Sequence, residues 1–268
     1  MTSADADERA PLLDHLIELR KRLLWCVLAL LVAFALCWGV AGHIFEILAQ
    51  PLIDAFGDQA DAKLIFTSLT EKFFVDIKIA FYAALFITFP IVGTQIWKFV
   101  APGLYRNEQH ALLPYMVASP VLFVIGGLVV YYGIMPLAWK FFLSYQNLGQ
   151  GAESSKEFIE IVALPKVSEY LGLVIKLIFA FGLFFQMPVA LTLLAHAGIV
   201  SAEGLAKKRK YAVVLMFGIA AVLTPPDIIS QVGLAVPGLL LYEISILLAR
   251  RVERKREEAW DPTADGAD

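Results

Sequence analysis

The chain has 268 residues, of which 59% are hydrophobic and 18% are charged, and its mean hydropathy is +0.70. This composition lies outside the range of soluble globular domains and indicates an integral membrane protein. The net charge of −3 says little about binding partners, because the position of each charge relative to the membrane matters more than the sum.

Six apolar stretches predict an all-α protein with six membrane-spanning helices. The first four reach the roughly 20 residues that a helix needs to cross about 30 Å of hydrocarbon. The fifth would extend only about 21 Å, and the sixth contains Pro237 and Glu243. We expect this pair to form two short spans rather than a re-entrant hairpin, because both of its flanks are basic and its turn has no Lys or Arg. The six stretches are residues 23–41, 79–97, 111–135, 171–197, 211–224 and 232–249.

The Lys and Arg residues lie mainly on one side of the predicted membrane domain. Fifteen fall in the N-terminal segment, the second loop, the fourth loop and the C-terminal tail, whereas five fall in the two loops of the opposite side. Basic residues accumulate on the cytoplasmic side, so both termini are predicted to be cytoplasmic. The expected organisation is a cytoplasmic amphipathic segment (1–22), a six-span membrane domain (23–250) and a disordered cytoplasmic tail (251–268).

The two long extracytoplasmic loops, residues 43–72 and 136–170, contain amphipathic stretches and one or more prolines, among them Pro51 and Pro165. We expect these loops to form short caps over the outer face. Pro51 is assigned a structural role within the first of them.

Sequence motifs for catalysis, nucleotide binding or metal binding are missing: no phosphate-binding glycine loop, no His-Glu-x-x-His pair and no Gly-x-Ser-x-Gly turn occurs. We therefore predict no enzyme activity, no cofactor, no metal site and no nucleic-acid partner. A small-solute transporter or channel stays as the alternative function. Such a protein would need facing charges inside the membrane, whereas Glu243 is isolated in its predicted span.

The segment before the first span has the pattern of an amphipathic helix that lies along the inner membrane interface. Its charged face includes Glu18 and Arg22, which are four residues apart and suited to an ion pair. By itself the pattern fits a membrane anchor as well as a binding role for the acid. The apolar stripe of this helix consists of Leu12, Leu16, Leu19 and Leu23.

The second loop, predicted over residues 95–108, is rich in aromatic residues and contains a single acid, Glu108. Its aromatic residues Trp97, Phe99 and Tyr105 are typical of a membrane interface, and Glu108 is suited to the N-terminus of the next helix. These ordinary interpretations stay open beside a functional one.

Three short runs occur in order and at a spacing typical of one family. They are His15-Leu16-x-Glu18-Leu19-Arg20-x-Arg22, Phe99-x-x-Pro102-x-Leu104-Tyr105-x-x-Glu108 and Leu223-Thr224-Pro225-Pro226-Asp227. Together with the six predicted spans, they resemble the twin-arginine translocase C subunit family, TatC, over about residues 11–250. Each run alone would be a weak indication, whereas the three together are specific.

The resemblance implies the receptor and core of a translocase that exports folded proteins across the bacterial cytoplasmic (inner) membrane. It implies a cupped, glove-like bundle of six helices, within a multimeric complex that includes single-span TatA- and TatB-like subunits. It also implies binding of the paired arginines of signal peptides, because carboxylates bind guanidinium groups through two parallel hydrogen bonds. The implied peptide-binding residues are Glu18, Arg20, Phe99, Tyr105, Arg106 and Glu108, and the implied partner-subunit contacts are Thr224, Asp227 and Gln231.

The chain departs from the family pattern at Gln186 in the fourth span, where the family often has a glutamate. A neutral amide costs much less to bury than a carboxylate. We expect either an interhelical hydrogen bond or a polar contact with a partner helix or local water, and no proton transfer at this site.

Overall fold

The structure is a computed structural model that describes residues 3–57, 64–104, 109–144, 164–224 and 228–259. Side chains are described over these ranges except at residues 3–15, 97, 100–104, 109–113, 229–230 and 256–259. An isolated bridge between Ile65 and Lys166 is the one β-type pairing in the described ranges, which confirms the predicted all-α class. The helical elements are α1 (Ser3–Gly39), α2 (Ala41–Phe56), α3 (Glu71–Leu104), α4 (Gln109–Val129), a π-helical turn (Val130–Ile134), α5 (Met135–Ser144), α6 (Val167–Phe184), α7 (Met187–His196), α8 (Ala202–Lys207), α9 (Arg209–Leu223) and α10 (Ile228–Ala259).

Five helical segments of the described chain are long and apolar enough to cross a membrane, and they correspond to five of the six predicted spans. The remaining one, the fifth predicted span at residues 211–224, falls in α9, which has only 15 residues. This length is below the roughly 20 residues of an ordinary span, so a crossing by α9 stays a prediction. The five segments are Leu16–Gly39, Glu71–Ile96, Pro114–Ser144, Val167–His196 and Gln231–Lys255.

Several helices extend beyond the boundaries that hydropathy predicts. The amphipathic segment and the first span form one continuous helix, α1, and α3 continues through most of the predicted second loop to Leu104. Likewise α10 continues to Ala259, within the segment whose composition predicts disorder. Hydropathy detects the apolar part of a helix, whereas the main-chain hydrogen bonds continue as long as no residue breaks them.

The chain divides into two compact units, Met1–Phe45 with Asp76–Pro120 and Glu46–Val75 with Val121–Asp268. In the first unit, small buried residues of α1 and α3 form a shared core, namely Ala33, Cys37, Ala80 and Ala84. Helices in lipid gain little from the hydrophobic effect, so close contact of backbones through small side chains becomes the main source of packing energy.

In the second unit, two glycines allow α4 and α6 to pack at close range. A Cβ atom added at Gly126 would lie 2.7 Å from the carbonyl oxygen of Phe181, and one added at Gly182 would lie 2.4 Å from the ring of Phe123. Real Cβ atoms do not approach other heavy atoms so closely, so both positions need glycine for this packing to form.

A buried carboxylate joins the N-termini of α3 and α6 within the second unit. Glu71 accepts hydrogen bonds from the backbone N–H and the hydroxyl of Thr67, at 2.8 and 3.0 Å, and from the backbone N–H of Ser168 at 3.2 Å. The bridge between Ile65 and Lys166 lies beside it. Because the first N–H groups of a helix have no partner within the helix, one acid here satisfies donors of two chain segments.

The helix α2 forms where a cap was predicted, and Pro51 determines how it is held. Proline has no N–H, so the carbonyl four residues earlier, that of Ile47, loses its donor within the helix. The hydroxyl of Tyr131 donates to this carbonyl at 2.7 Å, and the hydroxyl of Tyr170 donates to the adjacent Leu48 carbonyl at 2.6 Å. Pro51 thus leaves a carbonyl available that anchors α2 to the π-helical turn, which gives a physical reason for a proline here.

We predict that Tyr131→Phe lowers the free energy of unfolding by about 1–2 kcal/mol, because the Ile47 carbonyl loses its replacement donor. Tyr132→Phe is the matched control, since this neighbouring side chain is 74% exposed. In a Pro51→Ala background the new main-chain N–H can bond to Ile47, so Tyr131→Phe should cost less there. Thermal unfolding of the purified protein in detergent measures all four variants. The account would be contradicted if Tyr131→Phe and Tyr132→Phe lowered the free energy of unfolding equally, or if Tyr131→Phe cost as much in the Pro51→Ala background as in the original chain.

Candidate functional site

Glu18 of α1 binds a guanidinium group within the chain itself. Arg22, one helical turn later, donates from Nε to Oε1 of Glu18 at 3.0 Å and also from Nη2 to the same oxygen. Its remaining terminal nitrogen, Nη1, donates to Oε1 of Gln95 in α3 at 3.2 Å. The Glu18 side chain is 41% exposed and that of Arg22 is 21% exposed. Glu18 is therefore an accessible carboxylate whose surroundings already accommodate an arginine head group.

The contact between Arg22 and Gln95 also positions Phe99. Gln95 and Phe99 are four residues apart on α3, so they share one face of that helix, and Phe99 is half-buried. The structure thus brings Glu18 beside the face of α3 that carries Phe99. Arg20 lies on a different face of α1 and is exposed, because residues two apart in a helix point in different directions.

Three other members of the predicted peptide-binding set, Tyr105, Arg106 and Glu108, lie outside the described residues. The segment that leads to them is helical rather than a loop, since α3 ends only at Leu104. The Pro102-Gly103 pair therefore stands in the last turn of a helix, a common place for residues that stop helix growth.

The predicted partner contacts lie where α9 ends and α10 begins. Thr224 is buried, and its hydroxyl donates to the Ala220 carbonyl at 2.9 Å. The Gln231 side chain donates from Nε2 to the Phe217 carbonyl at 3.3 Å, which links α10 to α9. Asp227 lies outside the described residues. The hydroxyl of Thr224 shares the Ala220 carbonyl with its own backbone N–H, which also donates to it at 2.9 Å, whereas Gln231 joins the start of α10 to a carbonyl inside α9.

Gln186 lies at the break between α6 and α7 rather than inside a continuous span. The two following helical positions include Pro188, which has no N–H and prevents an unbroken helix through this point. The side chain of Gln186 donates from Nε2 to the Gly182 carbonyl at 3.3 Å, within its own segment. The interhelical hydrogen bond that was one of the two expectations for Gln186 stays a prediction.

Glu243 is paired, which corrects the prediction that it is isolated in its span. Arg209 donates to it through Nε at 2.6 Å and through Nη2 at 2.9 Å, one bond to each carboxylate oxygen. The hydrogen bond to Glu243 raises the pKa of Arg209 above its ordinary value. Two other contacts hold the same region: the hydroxyl of Tyr242 donates to the Leu205 carbonyl at 2.8 Å, and Glu253 accepts from the Ala202 N–H at 2.8 Å.

These contacts fix α8 and α9 against α10 on the side where the fourth loop lies. A charge neutralised in this way is not available as one of the facing intramembrane charges that a solute pathway would need. Among the described residues, no group of three or more His, Cys, Asp and Glu side chains is placed to hold a metal ion.

The family model described as Sec-independent protein translocase protein (TatC) matches residues 14–237, a range that contains every site residue predicted from the sequence. The chain belongs to the TatC family. A TatC protein of Magnetococcus marinus is 51% identical over 254 residues, which cover 95% of this chain and 89% of the relative. The TatC protein of Escherichia coli is 37% identical over 244 residues, which cover 91% of this chain and 90% of that relative.

A solved crystal structure of the twin-arginine translocase receptor TatC is also similar to this chain. It has 37% sequence identity and a TM-score of 0.74, and the match covers 89% of this chain and 99% of that chain. This TatC-family chain is accordingly a membrane-embedded component of a Sec-independent protein translocase, the twin-arginine translocation system.

Two polar residues of this TatC site have positions that sequence reasoning did not assign. Arg22 was expected only as an ion-pair partner of Glu18, and Gln95 was given no role. The structure places both beside Glu18. The spacing of Gln95, one turn before Phe99 on a mostly apolar helix, was a signal that could have identified it.

Proposed function

We propose that this TatC-family chain is the receptor subunit that binds twin-arginine signal peptides and nucleates the complex that exports folded proteins. In this proposal Glu18 and Glu108 bind the two arginines, and the surrounding contacts come from Arg20, Phe99, Tyr105 and Arg106. The observation that supports it most directly is the Glu18 carboxylate, which holds one guanidinium while it stays 41% exposed.

The chemistry of this site favours arginine over lysine. A guanidinium is planar and presents a fixed fork of donors that matches a carboxylate, whereas an ammonium is a compact and strongly hydrated charge. The neighbouring bases Arg20 and Lys21 would repel a cationic peptide that lacked such a match. Acids placed within a basic surface therefore give local recognition of two adjacent arginines rather than general attraction of cations.

The proposal assigns the ends of α9 and α10 to contact with single-span TatA- and TatB-like subunits, through Thr224, Gln231 and Asp227. The supporting observation is a polar and an apolar surface side by side. Gln231 is half-buried, and α9 carries the exposed apolar side chains Val214 and Val222, at 72% and 85%. In a membrane, a helix of a partner packs on such apolar side chains and hydrogen-bonds to the polar ones.

The proposed setting is the bacterial cytoplasmic membrane, with six spans in a cupped bundle and both termini in the cytoplasm. The amphipathic segment 1–22, the membrane domain 23–250 and the tail 251–268 keep the roles expected from the sequence. Gln186 serves as a neutral polar group at the α6–α7 break that contacts a partner helix or local water.

We predict that Glu18→Ala weakens binding of a twin-arginine signal peptide by about 1.5 kcal/mol, roughly tenfold, because one charge-assisted contact is lost. Fluorescence anisotropy with the purified protein in lipid nanodiscs measures this affinity. Glu203→Ala is the matched control, since Glu203 also pairs with a basic residue four positions later, Lys207, at 2.7 Å. Glu203 is not part of the proposed site, and its removal should leave affinity unchanged. If the Glu18 and Glu203 variants bind the peptide equally well, Glu18 is a local ion-pair partner and the proposal fails.

We predict that α9 crosses the membrane despite its 15 residues. Short spans are accommodated by local thinning of the bilayer, at a modest energetic cost. A reporter fused after Asp227 should therefore be extracytoplasmic, like reporters after Lys63 and Lys156, whereas reporters after Arg106 and Lys210 should be cytoplasmic. A cytoplasmic signal from the Asp227 fusion would show that α9 is not a span.

A further inference from the structure

The guanidinium of Arg22 occupies the position on Glu18 that the proposed function assigns to an arginine of the peptide. It donates to Oε1 of Glu18 through two nitrogens and to Gln95 through the third. We propose that Arg22 is an internal competitor for the peptide, and that this competition lowers the affinity of the site for every cationic peptide that must displace it. This inference rests on the proposed function, because it concerns the same carboxylate.

Competition follows from the chemistry of the exchange. When a peptide arginine binds Glu18, the bonds that form are of the same kind as those that Arg22 loses, so the net gain is smaller than for an unoccupied carboxylate. The displaced Arg22 also adds a positive charge near the incoming one. The Glu18 side chain is 41% exposed, so water can replace Arg22 when that contact is lost.

A lysine competes with Arg22 less well than an arginine does. Its ammonium offers no planar fork and loses more hydration on leaving water, so Arg22 retains Glu18 against it. A peptide arginine replaces the guanidinium with an equivalent group and can use further contacts of the site. The displacement of Arg22 costs the same free energy for either peptide, so the preference for arginine comes from the bonds that the peptide itself makes to the site.

Gln95 makes the exchange feasible. Because Arg22 is only 21% exposed, its complete release into water would need a rearrangement of α1 against its surroundings. The bond from Nη1 to Gln95 uses a nitrogen that does not contact Glu18. Arg22 can therefore release the carboxylate and keep a hydrogen bond to α3, so that Gln95 acts as a positioning residue for the displaced guanidinium.

The test compares two fluorescent signal peptides that differ only in Arg-Arg against Lys-Lys, bound to the full chain in lipid nanodiscs. Arg22→Gln should tighten Arg-Arg binding by about fivefold, the equivalent of one partly exposed ion pair that no longer competes. Lys-Lys binding should tighten by the same factor, because either peptide must displace the same guanidinium. Lys21→Gln is the matched control: it removes the same charge at an exposed neighbouring position and should tighten binding by much less than this.

Two further variants separate this inference from the proposed function. Arg22→Lys keeps the charge and loses the fork, so it should also tighten Arg-Arg binding and provides a second measurement if Arg22→Gln inserts poorly. In a Glu18→Ala background, Arg22→Gln should tighten binding no more than Lys21→Gln does. Weaker Arg-Arg binding by the Arg22 variants, or binding tightened no more than by Lys21→Gln, would overturn the inference. If Glu18→Ala itself has no effect, the proposed function fails as well.

Discussion

In the hydrocarbon layer of a membrane each backbone N–H and C=O group needs a hydrogen-bond partner within the protein, because no water is available. Two irregular points of this chain show side chains that supply such a partner. In α2, which the sequence predicts to cap the outer face, Pro51 removes a donor and the Tyr131 hydroxyl bonds to the Ile47 carbonyl. In the fourth apolar segment, where the helix breaks between α6 and α7, the Gln186 amide bonds to the Gly182 carbonyl. At both points a side chain bonds to a carbonyl that lacks its usual main-chain donor.

Uncharged polar side chains near lipid also need partners for their own donors. The side chains of Thr224 and Gln231 find these partners in main-chain carbonyls of α9. Charged residues follow a different rule, since a charge in or near lipid needs an opposite charge. The fork between Arg209 and Glu243 and the pair between Arg22 and Glu18 both meet this need.

Much of this architecture could be predicted from the sequence, because apolar length and basic-residue position are local properties. Five spans and the helical class follow from hydropathy, and the pairing of Glu18 with Arg22 follows from their i,i+4 spacing. The extent of α3 was underestimated, because a Pro-Gly pair marks the last turn of a helix as readily as a loop. The bonds from Arg22 to Gln95 and from Arg209 to Glu243 were missed, since they join residues far apart in the chain.

The central claim is that the face shared by Glu18 and Phe99 receives the paired arginines of a signal peptide. Site-specific photo-crosslinking tests it most directly, with a photoreactive residue at position 19 or 99 and, as a control, at Leu183, which is 61% exposed on α6. Leu19 is 40% exposed and adjoins Glu18, so its replacement keeps the carboxylate. The account predicts crosslinks to a twin-arginine peptide from positions 19 and 99 that disappear with a twin-lysine peptide, and none from position 183. Crosslinks of equal strength from all three positions, or crosslinks that do not depend on the arginines, would contradict it.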